Sequence, residues 1–255
     1  MRKKYVFIYA DEGVSSFSLK ETIASCEKEL PSYLVETIDH KTLIHSSWEK
    51  ETSLFIIPGG RDIPYDRLLR GKGTHKIRSY VSNGGSFLGI CAGAYFSSSQ
   101  VIFEKGTPLE VDEKRDLNFY PGAAIGTLYR DRPFSYLSEQ GSHAAFISFE
   151  NTHLPIYYNG GCYFENPECF SEQITILGRY QDEGDKAAIV ACKIGRGNAV
   201  LSGVHFEVQA ASLTNTTTPS DVYHTLSQFE EERQKIFSSI LTTLKILPYN
   251  NSEEQ

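Results

Sequence analysis

The chain has 255 residues, 40% of them hydrophobic and 22% charged, and a formal net charge of −7. That balance fits an ordinary globular protein and excludes a broad basic footprint, so nucleic acid is not an expected partner; no apolar run approaches a membrane span, so neither is a membrane. Five cysteines (Cys26, Cys91, Cys162, Cys169 and Cys192) at irregular spacing with no C-x-x-C pair exclude a disulfide framework and a zinc site. The expectation is a cytoplasmic protein with reduced thiols, no metal and no cofactor.

The N-terminal MRKKYVFIYADEG has a basic start, but its apolar run is too short for a signal sequence and leads directly into Asp11 and Glu12. Tyr5–Ala10 instead reads as a strand buried on both faces. Ser16–Leu30 reads as a helix, with Ser18 as its cap and Glu21 three residues on. Tyr33–Ile38 is a second strand, and Ser53–Pro58 a third that ends in Gly59-Gly60. Arg61–Arg78, where Asp62 and Asp66 interrupt the basic residues, reads as a loop and a solvated helix face. Thr74–Ser82 is a helix closed by Asn83-Gly84-Gly85, Ser86–Ile90 a fourth strand, and Ala92–Ser98 the start of the next helix. Alternating strands and helices predict an α/β, doubly wound, mostly parallel sheet.

From about residue 101 to 182 the pattern changes. Short alternations such as His143–Phe149 and Leu154–Tyr158, set between Gly, Pro and Asn, predict an antiparallel β-rich insertion. Ala187–Ile194 and Asn198–Gly203 flank Gly195-Arg196-Gly197, a hairpin signal. Ser220–Leu247 reads as one long helix stopped by Pro248, and residues 249–255 as a frayed tail. With no repeat or linker, residues 1–248 read as one domain.

The stretch SFLGICAGAYF (86–96) brings Cys91 to the carboxyl end of a strand, where reacting groups collect in parallel sheets. Gly89, Ala92, Gly93 and Ala94 are small enough for a sharp strand-to-helix turn that presents a nucleophile, and a helix N-terminus there favours a thiolate. A cysteine nucleophile needs a base, and the base an orienting partner. Among seven histidines, His205 stands out: it follows an apolar strand pattern, AVLSGV, and Glu207 lies two residues on, on the same side if the chain is extended. Gly60 of the Pro58-Gly59-Gly60 run and the amide of Ala92 are candidates for an oxyanion hole. Gly59, Arg61, Asp62 and Tyr65 follow as candidate substrate-binding residues, with Tyr158, Asn159, Gly160 and the nearby Glu165 from the insertion. Cys26 and Cys192 read as buried core thiols, and Tyr95 as packing.

In that order, P-G-G at 58–60, G-I-C-A-G at 89–93 and H-F-E at 205–207 resemble the class I glutamine amidotransferase-like fold, a flavodoxin-like α/β architecture. The segment from Pro58 to Phe96 more closely resembles the amidotransferase-like domain at the N-terminus of biotin–protein ligases. The resemblance implies a Cys91–His205–Glu207 triad, an oxyanion hole at Gly60 and Ala92, a small-molecule amide substrate such as glutamine, and a ligase or synthetase partner. Two departures stand out: amidotransferases commonly carry proline between the histidine and the glutamate, where this chain has Phe206, and no residues that grip glutamine are evident. The ligase half of a biotin–protein ligase is missing, so the chain is not expected to biotinylate anything itself; Gly195–Gly197 is a turn, not an adenylate loop. The alternative is a catalytically silent module that binds a small molecule or regulates a partner ligase. Related hydrolases and chaperones on this scaffold often place histidine directly after the cysteine, and Ala92 argues against them.

Overall fold

A computed structural model describes residues 4–246. The strands are β1 Tyr5–Tyr9, β2 Leu34–Ile38, β3 Thr52–Ile57, β4 Ser86–Ile90, β5 Ser98–Phe103, β6 Val111–Lys114, β7 Tyr120–Gly126, β8 His143–Phe149, β9 Thr152–Tyr158, β10 Tyr163–Phe164, β11 Ile174–Tyr180, β12 Ala187–Ile194 and β13 Gly197–Ser202. The α-helices are α1 Ser16–Glu29, α2 His40–His45, α3 Asp62–Leu69, α4 Lys72–Ser82, α5 Ala92–Phe96, α6 Ser220–Gln228 and α7 Glu230–Thr243. One open sheet carries all of these strands, and one end of it, β2-β1-β3-β4-β13, is parallel throughout. That 2-1-3-4-5 type of order is the flavodoxin-like arrangement. The α/β expectation therefore holds, with the parallel pairs concentrated in one block.

Alternate residues on the parallel strands divide between two cores, as the pleat requires. Val6, Ile8, Leu54, Ile56, Leu88 and Ile90 pack with Cys26 of α1, Leu30 just after it, and Ile236, Phe237, Ile240 and Leu241 of α7. Phe55, Ile57 and Phe87 face the other way, onto Leu43 of α2, Leu69 of α3 and Ile77, Tyr80 and Val81 of α4. The sheet is thus covered on both faces. Beyond β13 the pairing turns antiparallel through β12, β11, β8 and β9, matching the expected insertion, although β5 and β7 pair in parallel.

Several boundaries differ from the sequence reading for identifiable reasons. The α1 cap is Ser15, whose hydroxyl accepts from the Ser18 amide at 3.3 Å; Ser18 itself is buried and committed elsewhere. The stretch after Arg61 is helix α3 rather than a loop; Arg67 and Arg70 lie on an exposed face as expected, but Asp62 and Asp66 are buried and ion-paired to Arg115 and Arg70. Helix α5 is one turn long, because the Ser97 and Ser98 hydroxyls bond the Gly93 and Ala94 carbonyls at 2.7 and 3.0 Å and take up its free acceptors. The long C-terminal helix breaks at Phe229 (φ −119°, ψ 21°). The expected stop at Pro248 and the tail at 249–255 lie outside the described residues.

Candidate active site

The register of three parallel strands builds the site. Ile57 of β3 sits opposite Gly89 of β4, and Ile90 of β4 opposite Ser202 of β13, so these strands end level with one another. The segments leaving them, Pro58–Gly60, Cys91–Ala92 and Gly203–Glu207, therefore emerge side by side.

Cys91 terminates β4, its amide donating to the Ser202 carbonyl at 2.8 Å, and then turns sharply with φ 50° and ψ −105°. A positive φ in a residue with a side chain costs about 1–3 kcal/mol and persists only where the surroundings enforce it. Here the enforcement is steric: a Cβ on Gly93 would lie 2.0 Å from the Ile57 carbonyl oxygen, so the elbow is pressed directly against the end of β3. Because α5 is a single turn, the dipole contribution expected of a longer helix is small.

His205 does not belong to the strand from which its spacing was read. β13 ends at Ser202, and His205 instead makes an isolated antiparallel bridge with Tyr157 of β9, donating its amide to the Tyr157 carbonyl at 2.8 Å. Phe206 and Glu207 form a turn. The carboxylate nevertheless meets the ring: His205 Nδ1 and Glu207 Oε1 are 2.8 Å apart, both side chains buried. The turn, not an extended i/i+2 geometry, brings them together. Phe206 packs on Phe237 of α7, the ring centroids 5.5 Å apart, and so fastens this turn to the core.

The thiol lies beside the imidazole. Burial pulls the His205 pKa down, but the Glu207 carboxylate hydrogen-bonded to its ring, together with the neighbouring Cys91 sulfur, outweighs it and leaves the pKa well above the ordinary histidine value. The imidazole is thereby biased toward the protonated form, with the Glu207 carboxylate against its Nδ1. Cys91 Sγ also donates to the Asn159 carbonyl at 3.8 Å. A Cβ on Gly59 would lie 2.7 Å from His205 Cε1, so the ring rests over the glycine loop.

Ser18, which the sequence reading treated only as a cap, links these parts. Its hydroxyl accepts from the Gly59 amide at 2.9 Å and donates to Glu207 Oε1 at 3.3 Å. Among the described residues the amides of Gly60 and Ala92 have no acceptor, and both residues line the cleft, as an oxyanion site requires.

The cleft has a volume of about 90 Å³. A single water needs about 10–15 Å³ on this measure, so there is room for a small ligand. Of the expected substrate-binding residues, Gly59, Asp62, Asn159 and Gly160 line it. Arg61, Tyr65 and Tyr158 do not. Arg61 is exposed, with its guanidinium 5.8 Å from the Tyr136 ring centroid; Tyr65 is fully buried and donates to the Pro58 and Gly59 carbonyls from below. Tyr158 is a core residue that donates to the Gly161 carbonyl and accepts from the Leu128 amide. Tyr95 is more than packing: it lines the cleft and its hydroxyl donates to the Gly161 carbonyl at 2.9 Å. Phe17, Phe103, Phe134, Tyr136, Glu139 and Tyr157 complete the walls, and nothing in their local sequence singled them out. Cys26, Cys162 and Cys192 are buried free thiols, and Cys169 is an exposed one.

The chain has the glutamine amidotransferase-like fold, a class of α/β proteins. Two solved structures from Thermotoga maritima share the fold, each with a TM-score of 0.59 over 95% of this chain and 99% of the other. They are a PurLQS structure at 15% identity and a glutamine amidotransferase at 14%. Within that class the chain belongs to the family described as biotin-protein ligase, N terminal, whose model matches residues 4–255. An uncharacterized protein of Chlamydia muridarum (strain MoPn / Nigg) is 42% identical over 81% of this chain and 82% of its own length. The biotin–protein ligase of Schizosaccharomyces pombe is 37% identical over 80% of this chain, a match that spans 33% of the ligase.

Proposed function

We propose that the protein is a cysteine-dependent, amidotransferase-like hydrolase of a small amide, with Cys91 as nucleophile, His205 as general acid and base, and Glu207 as orienter. The observation that carries this reading is the convergence of thiol, raised-pKa imidazole and buried carboxylate at the ends of β4 and β13. In the first step the Cys91 sulfur, its proton taken up by His205, bonds to the acyl carbon. The C–N bond breaks, and His205 gives its proton to the departing nitrogen. A water then attacks the thioester, its proton passing to His205, and a carboxylate leaves while the thiol is restored. The Gly60 and Ala92 amides are suited to receive the carbonyl oxygen as it becomes negative. Glutamine is the first amide to test, and the released ammonia would go to a ligase or synthetase partner.

The test is ammonia release from glutamine and from a panel of small primary amides, with Cys91→Ala as control. Turnover by the wild type should fall by at least about 10⁴-fold in the variant. No turnover of any amide, alone or with an added ligase, would remove the hydrolase reading. It would leave the second one, a silent module that binds a small molecule or regulates a partner ligase. That alternative draws support from Phe206, which stands where amidotransferases commonly have proline.

A further inference from the structure

The cleft beside Cys91 is unevenly charged. Its lining includes the carboxyl groups of Asp62 and Glu139 and no lysine or arginine; its one basic side chain, His205, is held by Glu207. Asp62 is neutralised from behind by Arg115, whose Nε and terminal nitrogen lie 2.7 and 2.6 Å from Oδ2. Glu139 has no cationic partner among the described residues. Its Oε2 accepts hydrogen bonds from the Tyr157 hydroxyl and, at 2.6 Å, from Asn159 Nδ2, and both donors are neutral. That arrangement fixes the carboxylate in place without cancelling its charge.

Two independent features nearby suit the same kind of ligand. With Nδ2 turned to Glu139, Asn159 Oδ1 is a buried acceptor that no described residue satisfies. Phe134 and Tyr136 meet edge to face, their centroids 4.8 Å apart, and both line the cleft. A carboxylate, a free carbonyl acceptor and aromatic faces together form a receptor for an ammonium group. Arg61 sits at the rim on the Tyr136 ring and does not line the cleft. Asn159 ties this receptor to the nucleophile, because its carbonyl accepts from Cys91 Sγ while its side chain holds Glu139. The two centres are one residue apart.

We propose that Glu139, Asn159 Oδ1 and the Phe134–Tyr136 wall form a cation subsite. It makes the cleft selective for acyl compounds that carry an ammonium group a few bonds from the reacting carbon. The cleft lining offers no lysine or arginine to a carboxylate and its one imidazole is already paired with Glu207, so an amino amide without a carboxylate suits the site better than a zwitterionic amino acid. This specificity rests on the hydrolase reading only in naming an acyl carbon; the subsite itself does not.

Three methanethiosulfonates test it: the 2-aminoethyl (cationic), methyl (neutral) and 2-sulfonatoethyl (anionic) reagents. Each transfers its alkylthio group to a cysteine sulfur and releases methanesulfinate. Rates at Cys91 and at the exposed Cys169 are read separately by peptide mass spectrometry, so that Cys169 reports the bias from the net charge of the protein. The cationic-to-anionic rate ratio at Cys91 should exceed that at Cys169 by at least about tenfold, which corresponds to 1.4 kcal/mol. Glu139→Gln, which keeps the acceptor for Tyr157 and Asn159, should bring the two ratios together. Tyr136→Leu, at a residue 43% exposed and so tolerant of change, should lower the Cys91 ratio severalfold. Equal ratios at the two cysteines in the wild type, or an excess that survives Glu139→Gln, would overturn the subsite. Charge selection without hydrolysis of any amide would leave the subsite standing and remove the hydrolase; hydrolysis without charge selection would do the reverse.

Discussion

The two walls of the cleft are built by different means. One wall is the level ends of β3, β4 and β13, which deliver Pro58–Gly60, Cys91–Ala92 and His205–Glu207. Here backbone contacts and one hydroxyl fix the geometry: the Gly93 contact with Ile57, the Cys91 amide on Ser202 and the Ser18 hydroxyl between Gly59 and Glu207. The other wall comes from the β8–β9 hairpin and the segment before it, and it contributes side chains: Phe134, Tyr136, Glu139 and Asn159. The Tyr95 hydroxyl on Gly161 and the His205 bridge to Tyr157 staple the walls together. A rigid wall suits bond-making chemistry, and a side-chain wall suits choice of substrate, so one can vary without disturbing the other.

If that division is right, the two walls respond unequally to mutation. Gly93→Ala should be the most damaging change, costing on the order of 4 kcal/mol, because the new methyl meets a carbonyl oxygen that cannot retreat. Urea unfolding with the denaturant slope unchanged would measure it; a loss under about 1 kcal/mol would mean the elbow is not pressed on β3.

Tyr95→Phe, which cuts one staple, should cost about 1 kcal/mol and leave the Gly161 carbonyl without that donor. Thermal unfolding reads the loss, and an unchanged Tm would show that the walls hold without it. Tyr136→Leu on the far wall should shift stability by less than about 0.5 kcal/mol. A larger loss would erase the contrast between the walls.

The smallest effect is a pH dependence. Burial lowers the His205 pKa, but Glu207 and Cys91 together raise it above the unfolded value of about 6.5. Stability from the raised pKa is fully present below that unfolded value and is lost as pH rises through the higher folded pKa. Glu207→Gln should therefore lower Tm most near pH 6, and the gap should narrow as pH climbs above neutral. A gap that widens with pH would show that the carboxylate does not hold an imidazolium.

The sequence was most readable where local backbone sets the outcome. Strand β4, the elbow at Cys91 and the Pro58–Gly60 loop follow from an apolar run meeting small residues, and the structure has them at those positions. The pairing of His205 with Glu207 was legible, but not its cause, since a turn held by Phe206 on Phe237 does what an extended chain was expected to do. Ser18 looked like a cap because serines cluster there, and only tertiary packing shows its hydroxyl reaching 189 positions along the chain to Glu207. Glu139 was invisible for the same reason. It lies in a polar stretch without periodicity, and its place beside the thiol depends on which strands pair across the insertion. Tyr65 and Tyr158 were drawn toward the site by nearness in sequence, whereas burial puts both beneath it.

The most direct test compares the alkylation of two cysteines at neutral pH. Cys91 is 6% exposed and Cys169 is exposed, so access alone makes Cys169 the faster of the two. If the imidazole activates the sulfur, iodoacetamide should label Cys91 faster than Cys169 in the wild type, and His205→Asn should reverse the order by slowing Cys91 about 10²-fold or more. A Cys91 that reacts more slowly than Cys169 in the wild type, at a rate His205→Asn leaves unchanged, would contradict a nucleophilic role.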